Sequence, residues 1–306
     1  MPDTKRLVPI LVGPTAVGKT AVTEALAAHW PLAIISADSR QVYRGLDIGT
    51  AKPGPELRAR VPHFGLDLVE PGQRYSAGRF AADAVGWLAG IGTERMPLVV
   101  GGTGFYVRAL VDGLFHEPPM DPARRERLRA ALAGVPAVAA WAVRLDPGYT
   151  GGGRQRAARA IEVALLSGRP LSWWQAHARA HGVLTPWYVR LTVPRAVLRQ
   201  RITARADAML AAGLVGEVQA LLGRGIAPDA PGLDGVGYRE VVQALLGRHD
   251  RDRLLAAIVS ATTRYAKRQE TWFRHQLEGD VLLLDATRPA SVLAAEIVAR
   301  WPGEPR

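Results

Sequence analysis

Residues 12–20 read VGPTAVGKT, directly after the apolar run LVPIL at 7–11. Gly13, Pro14, Thr15, Ala16, Val17, Gly18, Lys19 and Thr20 fit the phosphate-loop pattern G-x-x-x-x-G-K-[ST]. In such a loop the backbone N–H groups and the N-terminus of the following helix cradle an anion. Lys19 is placed to neutralise phosphate oxygens, and the Thr20 hydroxyl to reach Mg²⁺. Many proteins with this loop hydrolyse a nucleotide such as ATP, so nucleotide binding is the first expectation.

Working outward, RLVPILVG (6–13) reads as a strand and KTAVTEALAAHW (19–30) as a helix that begins at the loop. LAIISAD (32–38) and MPLVVGG (96–102) read as further strands, joined later by WYVRLTV (187–193) and DVLLLDA (280–286). Short apolar runs alternating with helical patterns predict an α/β fold, a parallel sheet wrapped by helices. From 114 to 182 no strand pattern occurs, only Ala, Leu and Arg at helical spacing. This predicts a P-loop, nucleoside-kinase-like core of residues 1–113 and 183–306 with an inserted helical domain at 114–182.

A nucleotide-hydrolysing protein needs a carboxylate at the end of a neighbouring strand to hold Mg²⁺ and its water. The run MPLVV ends instead in Gly101-Gly102-Thr103-Gly104. The acid comes after the second strand, where Asp38 and Ser39 leave the sheet's ligand-binding edge. Asp38 there reads as a general base for an attacking group or, alternatively, as a helix N-cap.

The chain carries 39 Lys and Arg against 28 Asp and Glu, a net charge of +11. Residues 121–182 hold ten Arg, no Lys and four acids, so over half of that excess lies in one fifth of the chain. Such clustering favours an anionic partner over a genome that merely writes Arg freely. In LRQRITARADAML (198–210), Arg201 and Arg205 share one helix face and can close over a polyphosphate; a solvated basic face is the alternative. TTRYAKRQETWFRHQ (262–276) sets Arg264, Lys267, Arg268, Thr271 and Arg274 on one stripe, with Trp272 and Phe273 turned away, a pattern suited to a nucleic-acid backbone. The absence of cysteine excludes disulfides and thiol chemistry, and points to a reducing cytosol. The N-terminal apolar run is too short for a signal peptide, no window approaches a membrane span, and only the terminal PGEPR reads as loose. A cytoplasmic monomer without a membrane or an obligate protein partner is the expectation.

The chain resembles the bacterial tRNA dimethylallyltransferase (isopentenyltransferase) family. The segments that carry the resemblance are GPTAVGKT, ISADSRQVYRGLDIGTAKP, YSAGRFAADA, VVGGTGFYVRALVDGL, RAARAIEV, RADAMLAAGLVGEV, GVGYRE and TTRYAKRQETWFR, in family order up to residue 274. The resemblance implies that the loop binds the diphosphate of dimethylallyl diphosphate, which leaves whole. It also implies an acceptor, the exocyclic N6 of adenosine 37 in tRNAs that read codons beginning with U. Asp38, Thr20 and Arg205 would then be catalytic, with Lys19 and Arg201 on the diphosphate and Mg²⁺ at Thr20. Asp38, Ser39, Arg40, Gln41, Thr103, Arg125, Gln155, Arg156, Ala157, Ala158, Arg159, Gly237, Tyr238 and Arg239 would lie against the tRNA anticodon stem-loop, beside Arg264, Lys267 and Arg268. Gly152-Gly153 stand where the family usually has Asn-Asp, and His63-Phe64-Gly65 where it often reads His-His-Leu. Two other classes fit parts of the chain: a small-molecule kinase using ATP with Asp38 as base, and a non-enzymatic nucleic-acid-binding protein.

Overall fold

The computed structural model describes residues 5–115, 118–178, 181–248 and 250–303. Residues 1–4 and, of the tail expected to be loose, 304–306 lie outside them. The chain runs through β1 (Leu7–Val12), α1 (Lys19–Leu26), β2 (Leu32–Ser36), α2 (Pro55–Arg60), β3 (His63–Phe64), α3 (Ala77–Ile91), β4 (Met96–Gly101) and α4 (Gly104–Val111). Four helices follow: α5 (Pro122–Ala133), α6 (Val138–Leu145), α7 (Arg154–Ser167) and α8 (Leu171–His177). Then come β5 (Thr185–Thr192), α9 (Arg195–Ala211), α10 (Leu214–Gly223), α11 (Tyr238–Leu245), α12 (Leu254–His275), β6 (Val281–Asp285) and α13 (Ala290–Ala299).

Two compact units result, one of residues 1–111 and 183–306, the other of 112–182. In the first, all six strands are parallel, in the order β3-β2-β4-β1-β5-β6. The strand order reverses between β1 and β4, so the crevice at their carboxyl ends is the place where such sheets bind ligands. β1, β2 and β4 read as continuous apolar runs because helices cover both faces. On one face α1 and α13 bury Val22, Leu26, Leu293 and Ile297 against Leu11, Leu98, Val189 and Leu191. On the other, Leu198 and Ile202 of α9 meet Ala266 of α12.

Two elements differ from the sequence expectation. α1 stops at Leu26 rather than at Trp30, because the chain tightens there: the amides of Ala28 and His29 donate to the carbonyls three residues back, Ala25 (3.3 Å) and Leu26 (2.9 Å). That turn sinks Trp30 into the core just ahead of Pro31. β3 has no counterpart in the reading above, since two residues carry no periodicity; it exists because His63 and Phe64 pair with Ile34 and Ile35.

The second unit is helical among its described residues, with α5, α6 and α7 around Leu132, Val138, Ala142, Ala157, Ala160 and Ile161. Asp121 caps α5 by accepting from the Arg124 amide at 2.7 Å, with Pro122 in the first turn. The unit also buries a carboxylate. Glu162, 2% exposed, is ion-paired with Arg125 (2.7 Å), Arg129 (2.6 Å) and Arg159. Burial pushes the Glu162 carboxyl up, but the Arg129 hydrogen bond and the charges of Arg125 and Arg159 outweigh it and hold the group below the usual carboxylate range. Part of the arginine excess is therefore internal. Ala157, expected against tRNA, is fully buried: its methyl group packs the core beneath the exposed Gln155 and Arg156.

Candidate active site

The phosphate loop turns between β1 and α1, and its two glycines are demanded by geometry. A Cβ on Gly13 would stand 2.8 Å from the Leu191 carbonyl oxygen, and Gly18 enters α1 at φ +112°. Residues 15–20 line a cavity of about 850 Å³ in the first unit. Gly13 and Pro14 contribute carbonyls instead: Lys19 Nζ donates to both, at 2.8 and 2.9 Å. Burial lowers the Lys19 ammonium to about 7, with Asp38 opposing the shift and Arg205 adding to it. Thr20 is exposed at the cavity wall.

The same cavity is lined by Asp38, Ser39, Arg40 and Gln41, which leave the end of β2. Asp38 accepts the Arg40 amide at 2.8 Å, an Asx turn that leaves its other oxygen available. Thr103 accepts the Ser39 amide at 3.0 Å and lies beside Tyr265, so the ends of β2, β4 and the middle of α12 form one cluster. Burial pushes the Tyr265 hydroxyl up to about 12, and Asp38 adds to that shift. The latter half of the Asp38 motif is scaffold. Lys52, its side chain 1% exposed, binds the Tyr43 carbonyl (2.8 Å), Asp47 (2.6 Å) and Asp67 (2.6 Å). Glu217 accepts the amides of Asp47 and Ile48 at 2.9 and 2.8 Å.

Arg201 and Arg205 both line the cavity, yet differ. Arg201 donates to the carbonyls of Val17 (2.8 Å) and Ala286 (2.9 Å), tying the loop to the end of β6. Arg205 makes no hydrogen bond or ion pair with the described residues; burial lowers its guanidinium, and only the Asp38 charge pulls it back. Gly237, Arg239 and Arg268 line the cavity, whereas Arg264 and Lys267 stand exposed on α12 outside it. Tyr238, expected against tRNA, is 1% exposed: its hydroxyl donates to Glu217 (2.5 Å) and accepts the Gly49 amide (3.0 Å). His63 also lines the cavity, with Nδ1 2.7 Å from the Val61 carbonyl.

Sequence reasoning missed Gln269. It lies 7% exposed on α12, its Oε1 accepting the Thr15 amide (2.9 Å) and its Nε2 donating to the Gly102 carbonyl (2.8 Å). A signal existed: residues 265, 269 and 273 share the buried face of α12, where a glutamine needs a partner.

The IPP transferase family model matches residues 41–276, and the isopentenyl transferase model matches 7–60. The chain belongs to the IPP transferase family. The tRNA dimethylallyltransferase of Bordetella petrii is 44% identical over 304 residues, covering 94% of this chain and 97% of its own. Among solved structures, the full-length tRNA isopentenylpyrophosphate transferase from Bacillus halodurans matches with a TM-score of 0.69 at 32% identity, over 97% of this chain and 96% of that one. A eukaryotic dimethylallyltransferase acting on tRNA shares the fold, with a TM-score of 0.77 at 24% identity, over 96% of this chain and 79% of that one. In family terms the motif-bearing segments at the ends of β1, β2 and β4 converge on one cavity.

Proposed function

We propose that the chain transfers the dimethylallyl group of dimethylallyl diphosphate to N6 of adenosine 37 in tRNAs reading codons that begin with U. The observation that carries this reading is the presence in one cavity of Asp38 opposite an anion cradle of Lys19, Thr20 and an unpartnered Arg205. An adenine amine is a weak nucleophile because its lone pair is delocalised into the ring. As the N6–C1 bond forms, an N6 proton passes to the Asp38 carboxylate, a role worth about 10²–10⁴-fold. As the C1–O bond breaks, the electron pair leaves with the diphosphate, whose charge Lys19, the loop amides and Arg205 stabilise. The base must leave the anticodon-loop stack to reach Asp38. Exposed Gln155 and Arg156, with the outward edges of Arg125, Ala158 and Arg159, supply the helical unit's surface for the stem-loop. Arg40, Gln41 and Arg239 serve at the cavity, with Arg264, Lys267 and Arg268 along α12. The chain acts in the cytoplasm as a monomer.

Among the described residues no group of three or more His, Asp or Glu could hold a metal alone. That fits a Mg²⁺ carried mostly by diphosphate oxygens and water, with the exposed Thr20 hydroxyl as its protein ligand. Bound there, it would neutralise charge on the departing diphosphate. No single helix among the described residues is long and apolar enough to cross a membrane.

The test incubates protein, Mg²⁺ and an unmodified tRNA carrying adenosines at positions 36 to 38, with dimethylallyl diphosphate in one tube and ATP in another. A prenylated adenosine with the allylic donor alone, and no ADP in the second tube, is expected. ADP without an adduct would make the chain a kinase instead. Asp38→Ala should lower the single-turnover rate by about 10²–10⁴-fold while tRNA affinity stays within a few-fold. A loss of affinity with the rate intact would make Asp38 a docking residue.

A further inference from the structure

α12 touches the turn after β4 at three successive residues. Tyr265 lies beside Thr103, Gln269 Nε2 donates to the Gly102 carbonyl at 2.8 Å, and Trp272 packs on Gly104. The spacing 265, 269, 272 follows one helix face. The approach is close enough to fix the sequence of the turn. A Cβ on Gly102 would lie 2.3 Å from Gln269 Nε2, and one on Gly104 2.2 Å from the Trp272 ring. Of the three side chains, Gln269 also reaches the phosphate loop, where its Oε1 accepts the Thr15 amide at 2.9 Å.

We infer that Gln269 is a positioning residue that sets the distance between the diphosphate cradle and the acceptor base. Its two amide ends hold the two halves of the site. The Oε1 end fixes Thr15, at the crest of the loop that continues to Lys19. The Nε2 end fixes Gly102, one peptide from Thr103, which in turn holds the backbone of Ser39 next to Asp38. A carboxamide can accept at one end and donate at the other, and this site needs both. A shift of about 1 Å between a nucleophile and its electrophile can cost about 10²-fold in rate, so a clamp of this kind acts on the chemical step rather than on binding.

The inference rests on the roles proposed for Asp38 and the phosphate loop, and its test separates the two. Gln269→Met keeps the volume and removes both hydrogen bonds. Gln269→Glu keeps the acceptor, but at neutral pH sets a carboxylate oxygen against the Gly102 carbonyl; once protonated, the new carboxyl can donate again. Single-turnover rates and the Kd values for tRNA and for dimethylallyl diphosphate are measured for native and variant chains. Rates are expressed as the ratio to native at each pH, so that the pH dependence shared by both chains, that of the Lys19 ammonium above all, cancels; Asp38, Arg205, Tyr265 and Arg268 are further charged or titratable groups of the same cavity. Both variants should lose about tenfold to 10²-fold in rate with each Kd within about threefold. The Gln269→Glu ratio should recover at least about tenfold as pH falls from about 8 to about 6, because burial raises a carboxyl pKa. The Gln269→Met ratio should stay flat. Native rates in the variants, a loss confined to donor Kd, or a Gln269→Glu ratio that ignores pH would each overturn the clamp. If Gln269→Glu does not fold, the rate and Kd of Gln269→Met decide. A native chain that transfers no dimethylallyl group would refute the proposed reaction itself, a result distinct from all of these.

Discussion

Arginine does opposite work in the two units. On α9, Arg205 is half-buried in the cavity with no hydrogen bond or ion pair to any described residue. In the helical unit, Arg125, Arg129 and Arg159 converge on the buried carboxylate of Glu162. One site keeps a desolvated cation without a partner; the other gathers three cations around a shared acid. An unpaired buried charge is costly, so a fold keeps one where a ligand supplies the missing anion. A paired one holds structure together. The +11 surplus thus combines ligand-seeking and load-carrying charges, and the partner of each arginine, not its count, tells them apart.

Among the arginine contrasts, the largest effect should come from Arg205. Arg205→Ala removes the donor proposed for the departing diphosphate, and the single-turnover rate should fall by about 10²–10³-fold, with ground-state donor affinity changed much less. Its helical neighbour sharpens the contrast. Arg201 gives two donors to the Val17 and Ala286 carbonyls, so Arg201→Ala should loosen the loop and weaken donor binding together with the rate. Equal kcat and KM profiles for the two variants would erase the distinction drawn here between an anion-seeking and a backbone-bound arginine.

Why some of this was legible in the sequence and some was not follows from what each residue touches. The phosphate loop declares itself because its backbone does the binding: Gly13 must admit the Leu191 carbonyl, and Gly18 must take a positive φ. Those demands fall at fixed spacings in one stretch. Asp38 was legible because a parallel sheet exposes its carboxyl-end residues. Gln269 was legible only as a glutamine on a buried helix face; its partners lie 254 and 167 residues away, and no local pattern encodes them. Lys52, which no pattern singles out, is the buried centre of the loop from Tyr43 to Asp67. The arginines of the helical unit showed their number in sequence but not their partner, because Glu162 meets Arg125 and Arg129 only through packing between helices.

Glu162→Gln tests the load-carrying side. Three guanidinium groups would lose their counter-charge, which in a fully buried pair costs about 3–5 kcal/mol. Here the arginines keep 28%, 33% and 26% exposure, so water recovers part of that and about 2 kcal/mol is expected. The sign with pH is definite. The folded carboxyl lies below its unfolded value, so its contribution is full above the ordinary carboxylate range and is lost as pH falls through the lowered folded value. Hydrogen exchange along α5 and α7 should therefore be faster in the variant at neutral pH, and the gap should close in acid. A gap unchanged in acid would mean that Glu162 acts through packing rather than charge.

The smallest effect, and the finest test of the contrast, concerns Lys19, a cation that lies between the two cases. Its ammonium is held by the Gly13 and Pro14 carbonyls, which are dipoles and not charges, and burial depresses it to about 7 from 10.5. Between those values the unfolded chain binds a proton that the folded one has released, so stability of the ligand-free protein rises with pH across that window. A diphosphate in the cradle reverses the balance by bringing the anion that the carbonyls only imitate. Binding of dimethylallyl diphosphate near pH 8 should then draw up to about one proton onto Lys19, and affinity should fall by at most about tenfold per pH unit above 7. Calorimetry in two buffers of different ionisation enthalpy measures that uptake, and Lys19→Arg supplies the reference because a guanidinium stays charged throughout. An uptake identical in native and variant chains would show Lys19 already protonated in the empty site. It would then be a second Arg205, a standing cation awaiting its anion, and not a group that charges as the anion arrives.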